Sequence, residues 1–401
     1  MPQFVYQARR GSKNLKGTLT AMDKSAAVEE LRKQGLMVLS LKPQQNQLLS
    51  TEIYIGNPVK PAHFIMFLRQ LATLIRAGVS IVEAVNILAE QSESKPLRKT
   101  LHEVSGSLVR GLTFSHAVQE HKRIFPPMFV NMVRAGEETG DLEGTLDRLA
   151  RFFEKEHVTR EKIKSAMTYP IVVGFLAIAA VVYLLKAVVP QFVSMFESMN
   201  AELPLVTRMV LAVSSSIENQ WWYWVLGVLA LVVAFITARR TEKGAYALDY
   251  VQLKVPVFGK LKQKGSIALM TRTLSSLYSS SVPILQSLHI VESVVGNKVI
   301  GGFIRDSADS LQQGRPLSEP LKKAWAFPPM VTQMIAIGEE TGALDQMLEK
   351  IADFYEMEVE NTVDRLKSLI EPLLLVFLAG VVGTIVAAIM LPMFSMYSNI
   401  G

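Results

Sequence analysis

The string Gly136-Glu137-Glu138-Thr139-Gly140 recurs letter for letter as Gly338-Glu339-Glu340-Thr341-Gly342, at an offset of 202 residues. Its surroundings recur with it. Phe125-Pro126-Pro127-Met128 answers to Phe327-Pro328-Pro329-Met330, and Pro170 and Pro190 answer to Pro372 and Pro392 at the same offset. A period of that length exceeds any solenoid unit and suffices for a domain with its own core. The chain is therefore constrained to fold one design twice: a helical domain plus the membrane segment that follows it. Upstream the register slips, because Leu71, Val79 and Ile81 align with Leu274, Val282 and Ile284 at an offset of 203. A single deletion in a loop between Ile81 and Phe125 accounts for the slip.

Apolar residues make up 49% of the 401, and the mean hydropathy of +0.25 is high for a soluble protein. The excess is concentrated in three runs, which points to membrane spans rather than to an enlarged core. Ile171 to Val189 is apolar except for Lys186, whereas Trp221 to Ala238 and Pro372 to Met390 carry no charge at all. At about 1.5 Å per residue, ~18 to 20 residues span roughly 27 to 30 Å, the hydrocarbon thickness of a bilayer. Lys186 would cost about 2.5 to 3.5 kcal/mol at a bilayer centre. It lies four residues before Pro190, so its stem can carry the amine to the headgroups, with a functional intramembrane charge as the other reading. Pro170 and Pro372 fall where the last helix of a bundle passes into the membrane, and neighbouring helices can satisfy the carbonyls they free. Ala230, Ala234 and Ala238, and separately Ala379, Gly383 and Ala387, form small-residue stripes that permit close helix contact.

Residues 1–45 alternate in character. Phe4, Tyr6 and Ala8 face one way, Gly11 to Asn14 turns the chain into a second run at Leu15 to Thr20, a helix from Lys24 to Gln34 stops at Gly35, and Leu36 to Leu41 returns as a strand. This predicts a small N-terminal α/β module, followed by a polar linker over residues 46–60. From Pro61 the period is helical: Phe64, Phe67, Leu68, Leu71, Leu74 and Ile75 share one face. Ser80-Ile81-Val82-Glu83 fits a capping box, Pro96 and Pro127 mark further helix starts, and Gly111 and Gly140 mark stops. The result is a mainly α, integral membrane protein with two homologous bundles of about six helices, at 61–168 and 265–370. In the second, Leu274, Leu277, Tyr278, Ile284, Leu288 and Val291 take the core stripe. Transmembrane helices are expected at 170–190, 221–238 and 372–391, with a loop at 191–220, a basic connector at 239–264 and a tail at 392–401.

Orientation follows from the loops. Gln191 to Gln220 holds one base, Arg208, against Glu197, Glu202 and Glu218, whereas Arg239 to Arg272 holds Arg239, Arg240, Lys243, Lys254, Lys260, Lys262, Lys264 and Arg272 against Glu242 and Asp249. The positive-inside rule places the connector, both bundles and the N-terminus in the cytosol, and the tail after Pro392 outside. Trp221, Trp222 and Trp224 mark the outer interface of the second span. The connector bases serve topology and anionic headgroups first, and a protein partner second; no nucleic-acid partner is expected.

Chemistry is mostly missing. The chain has no cysteine, which excludes disulfides, thiolate catalysis and Cys-ligated metal sites. No phosphate-binding loop occurs, His102-Glu103 lacks a second histidine for a zinc helix, and no Gly-x-Ser-x-Gly turn is present. The start of the chain lacks an apolar stretch behind a basic one, which predicts no cleavable signal peptide. No enzyme, cofactor or resident metal is expected. The repeated loops admit three readings: Gly140 and Gly342 close a helix with the threonine capping the next, the acidic residues dock a basic partner, or they offer oxygen ligands to calcium. Replacement of Asp141 by Ala343 in the second copy weakens the last.

Together the paired Phe-Pro-Pro-Met and Gly-Glu-Glu-Thr-Gly-x-Leu strings, the three spans and the module beginning Phe4-Val5-Tyr6-Gln7-Ala8 resemble the GspF/PilC family, inner-membrane platform proteins of bacterial type II secretion and type IV pilus assembly. The resemblance covers nearly the whole chain. It implies a multi-pass, oligomeric and non-enzymatic platform that contacts a cytosolic hexameric ATPase through its bundles, works with other inner-membrane assembly proteins, and guides pilin or pseudopilin subunits from the bilayer into a fibre. A membrane signalling scaffold and a few-span solute transporter component stay open as alternatives. Inverted repeats and paired charges at mid-bilayer would favour a transporter, but this duplication is predominantly cytosolic.

Overall fold

A computed structural model of the chain describes residues 3–10, 13–21, 26, 28, 31, 32, 35–43, 57–192, 205–256 and 258–400. They form two units, Met1–Pro58 and Val59–Gly401.

In the first unit, β1 (Gln3–Arg10) lies between β2 (Lys13–Thr20) and β3 (Met37–Pro43), antiparallel to both. Ala8, Leu31 and Leu36 are buried, with Tyr6, Val28 and Val38 packed against them. Of the helix expected over 24–34, residues 26, 28, 31 and 32 are described and helical, and Gly35 takes φ +70°. The expected linker lies largely outside the described residues.

The second unit opens with α1 (Pro61–Arg76), whose proline stands in the first turn, where a missing N–H costs nothing. Phe64, Phe67, Leu68 and Leu71 bury one stripe of it, while Leu74 and Ile75 are half-buried. Gly78 at φ +81° ends the turn after it, and Ser80 Oγ accepts from the Glu83 N–H at 3.3 Å to start α2 (Ile81–Gln91). Then come α3 (Lys95–Val109), α4 (Phe114–Gln119) and α5 (Pro127–Thr139). The last of this bundle, α6 (Leu142–Tyr183), runs straight through Pro170 and continues as a π turn over Leu184–Val188. Next are α7 (Leu205–Asn219), α8 (Trp221–Arg240) and α9 (Glu242–Lys254). The second bundle repeats the first: α10 (Phe258–Tyr278), α11 (Ile284–Val295), α12 (Lys298–Gln312), α13 (Ser318–Lys323), α14 (Pro329–Thr341) and α15 (Leu344–Ile400).

Among the described residues, three helices are long and apolar enough to cross a membrane, in α6, α8 and α15. Each bundle contributes one through its own last helix. The Phe-Pro-Pro-Met strings show why they recur. Phe125 and Phe327 are buried, and the proline pair caps and opens α5 and α14, whose φ it presets. Around Phe125 the first bundle gathers Phe64, Phe67 and Phe129, with ring centroids 5.0 to 6.1 Å from that ring. A single buried apolar cluster extends through both bundles.

Several segments differ from the sequence reading. The tail at 392–401 is helical to Ile400, because Pro392 stands in α15 without ending it. The loop at 191–220 contains α7, and residues 193–204 lie outside the described residues. The connector at 239–264 contains α9 and the first turns of α10. Tyr278 is 38% exposed rather than in the core stripe, since it is the last residue of its helix. The slip in the repeat falls after α4: Ser115 and Ser318 still correspond at 203, Phe125 and Phe327 at 202, so the missing residue belongs to the turn that follows α13.

Candidate functional site

The five-residue signature closes α5 and α14. Gly140 and Gly342 take φ +73° and +71°, a left-handed conformation that only glycine adopts without strain. Gly136 is buried where α5 meets α6, and a Cβ there would lie 2.8 Å from Thr145 Oγ1. At Gly338 it would lie 3.0 Å from the Leu344 Cα. The first glutamate of each copy turns inward. Glu137 accepts from the N–H groups of Phe114 and Ser115 at 2.6 and 3.1 Å, and Glu339 accepts from those of Leu317 and Ser318 at 2.6 and 3.1 Å. A carboxylate thus satisfies the first free N–H groups of the short helix. The second glutamates, Glu138 and Glu340, are exposed. Thr139 and Thr341 do not cap the next helix: their hydroxyls donate to Ala135 O and Ile337 O, back into their own helix. The α6 cap is Asp141, which accepts from the Gly144 N–H at 3.0 Å.

Sequence reasoning missed the charges that brace each long helix. Arg69 of α1 holds Glu154 at 2.5 Å and Asp147 at 3.0 Å, and its counterpart Arg272 holds Glu356 at 2.8 Å and also Asp353. The signal was present, since Arg69 and Arg272 match at 203 and Glu154 and Glu356 at 202. The Arg69 hydrogen bond holds the Glu154 carboxyl below the usual carboxylate range, against its partial desolvation. Burial would lower the Arg272 guanidinium, but its two carboxylate partners outweigh that and raise it. Asp353 is pushed up by burial and brought down further by hydrogen bonds from Arg272 and Lys155. Lys155 and Lys162 reach Glu356 and Glu360 at 2.5 Å each, tying α6 to α15.

The four repeat prolines behave in two ways. Pro170 and Pro372 lie inside α6 and α15, whose helices continue past them. At the far end, Pro190 and Pro392 free carbonyls that α7 satisfies. Ser214 Oγ donates to Leu185 O at 2.6 Å, five residues before Pro190, and Thr207 Oγ1 donates to Ala388 O at 2.7 Å, four residues before Pro392. The five-residue step fits the π turn, in which the Val189 N–H bonds to Leu184 O. Leu185, Val189, Val210, Ile385 and Ala388 pack together around these bonds. The stripe Ala379, Gly383 and Ala387 is not the contact; Gly383 has open space around it. Lys186 sits on the π turn with its side chain exposed.

In the connector, Arg239, Arg240, Lys243, Lys260 and Lys262 are exposed. Lys264 is half-buried and held by Glu358 at 2.7 Å, which makes it a brace of the second bundle. Lys254 stands 4.2 Å over the Trp325 ring. Buried Asp249 accepts from the Lys298 N–H at 2.7 Å, so α9 caps α12. The first glutamate of each signature is thus taken up by its own bundle and the second is exposed, and among the described residues no group of three or more His, Asp or Glu side chains converges on one point.

Two cored bundles, each extended by its last helix through a span and locked together at the far end, define an integral membrane protein built as a scaffold. A profile described as type II secretion system (T2SS), protein F, matches residues 67–190 and again 270–392, and one for the N-terminal domain of that protein matches residues 1–42. The type IV pilus assembly protein PilC of Thermus thermophilus is 40% identical over 407 residues, covering 100% of this chain and 99% of the relative. PilC of Myxococcus xanthus is 37% identical, with 98% and 95% covered. The type II secretion system protein F of Xanthomonas campestris is 32% identical, with 100% of both covered. The chain belongs to the GspF/PilC family of type II secretion and type IV pilus assembly.

Proposed function

We propose that this chain is a non-enzymatic inner-membrane platform that couples a cytosolic hexameric secretion ATPase to the assembly of pilin or pseudopilin subunits into a filament. The observation that carries the reading is the continuity of α6 and α15: each is one helix from the base of its bundle into the membrane, so motion imposed on a bundle reaches the span without a hinge. Both bundles and the N-terminus face the cytosol and the C-terminal end faces the periplasm, in keeping with the exposed bases that follow α8. The exposed Glu138 and Glu340 are available to a basic partner surface, and the connector bases to acidic headgroups.

Insertion of a flexible Gly/Ser stretch at 169 and 371 breaks that continuity while leaving the bundles and spans intact. The expected outcome is loss of filament assembly with unchanged membrane insertion, read by fibre counts and membrane fractionation. Unimpaired fibres would refute the coupling. Capture of the ATPase by the wild-type chain in detergent tests the partner directly.

A further inference from the structure

The contact between the two bundles is unsymmetrical, and that leaves half of it unused on each side. Lys155 of α6 meets Asp353 at 3.1 Å and Glu356 at 2.5 Å; Lys162 meets Glu360 at 2.5 Å; Arg148 donates to Ser280 Oγ at 2.9 Å; Gln286 donates to Asn131 Oδ1 at 2.7 Å. Under the repeat, Asn131, Arg148, Lys155 and Lys162 correspond to Gln333, Lys350, Met357 and Asp364. Gln286, Ser280, Asp353 and Glu360 correspond to Glu83, Ala77, Arg151 and Val158. A two-fold relation would bring Met357 against Arg151 within the chain. Instead Met357 is 56% exposed, and the Arg151 side chain is 62% exposed and turned to Asp147. The bundles are joined head to tail, the kind of contact that does not close on itself in a pair.

The open faces are built to be covered. Phe354 is 41% exposed where its counterpart Phe152 is 4% exposed in the contact, and Met357 and Val158 (50% exposed) stand where the closed contact has Lys155 and Glu360. Lipid does not reach them: Met357 lies 15 residues before Pro372, about 22 Å at 1.5 Å per residue, and Val158 about 18 Å before Pro170. By the same correspondence the placement carries over but the ion pairs do not: Met357 falls opposite Arg151 and Asp364 opposite Val158, while Gln333 falls opposite Glu83 and Lys350 opposite the C-terminal end of α1 at Ala77, beside Arg76.

We propose that a second copy of this chain seats its first bundle, through Arg151, Val158 and the Ala77–Glu83 turn, on the Phe354–Met357 face of the second bundle, repeating between chains the contact made within one. The readout does not depend on filament assembly, so it stands apart from the coupling reading above.

The chain has no cysteine, so introduced thiols are the only ones. Full-length chains carrying Met357→Cys and Arg151→Cys, separately tagged and co-expressed in membranes, are treated with a short bismaleimide; Lys155→Cys with Asp353→Cys in one chain reports the closed contact. A cross-linked heterodimer of the two tagged chains is the expected main product. Its absence alongside the intrachain product, or cross-linking of Met357→Cys chains to each other only, would overturn the proposal. Independently, Phe354→Glu with Met357→Glu should shift the particle mass in detergent towards the monomer, and an unchanged mass would count against it.

Discussion

Glu137 and Glu138 are neighbours of one type with opposite fates, because successive helical residues point about 100° apart. One accepts two N–H groups of the next helix; the other is exposed. Glu137→Ala leaves those donors without their charged acceptor and should cost about 1.5 to 3 kcal/mol, whereas Glu138→Ala should stay within about 0.5 kcal/mol. Thermal melts of the purified chain separate the two outcomes, and equal midpoints would rule out the inward role. The recurrence of the signature was legible in the letters. Which glutamate turns inward was not, since that depends on where a residue 23 positions earlier lies in the bundle. The same holds for Asp141. It grips Arg148, and Arg148 reaches Ser280 of the other bundle. The second copy has Ala343 in place of Asp141 and an exposed Lys350 in place of Arg148, so this link from helix cap to the other bundle is made by the first copy alone.

Among the elements, α7 shows most clearly what sequence reading loses. Its segment reads as a loop because it is short, polar at its end and separate from the three apolar runs. Yet Thr207 and Ser214 stand seven residues apart, two turns along one face, and each hydroxyl fills the place of an N–H that a proline removed. Thr207→Val should leave Ala388 O buried without a donor, and Ser214→Ala should do the same to Leu185 O, at about 1 to 3 kcal/mol each. Both should raise proteolytic sensitivity around α7 in detergent while far-UV circular dichroism holds; unchanged digestion would show that the bonds are dispensable. The prolines themselves could be found by their offset. Their partners could not, because Thr207 and Ala388 are 181 residues apart.

On the scale of the whole molecule, the two bundles share one apolar cluster and are crossed by the Lys155, Lys162 and Arg148 contacts. They should therefore unfold together. Ile351→Ala, at a position with no exposure, should cost about 2 to 5 kcal/mol. It should also speed hydrogen exchange in α3 and α5 of the other bundle, read by mass spectrometry; deprotection confined to the second bundle would mean two independent domains. The sequence by itself determined that one design is used twice, where several helices of the bundles start and stop, and that three segments suit a bilayer. These are matters of period, cap and composition, all local. Only the tertiary structure decided how the copies meet. Two homologous bundles each present both candidate faces, and the repeat by itself does not say which face of each is closed; packing settles it by burying Phe152 and leaving Phe354 open.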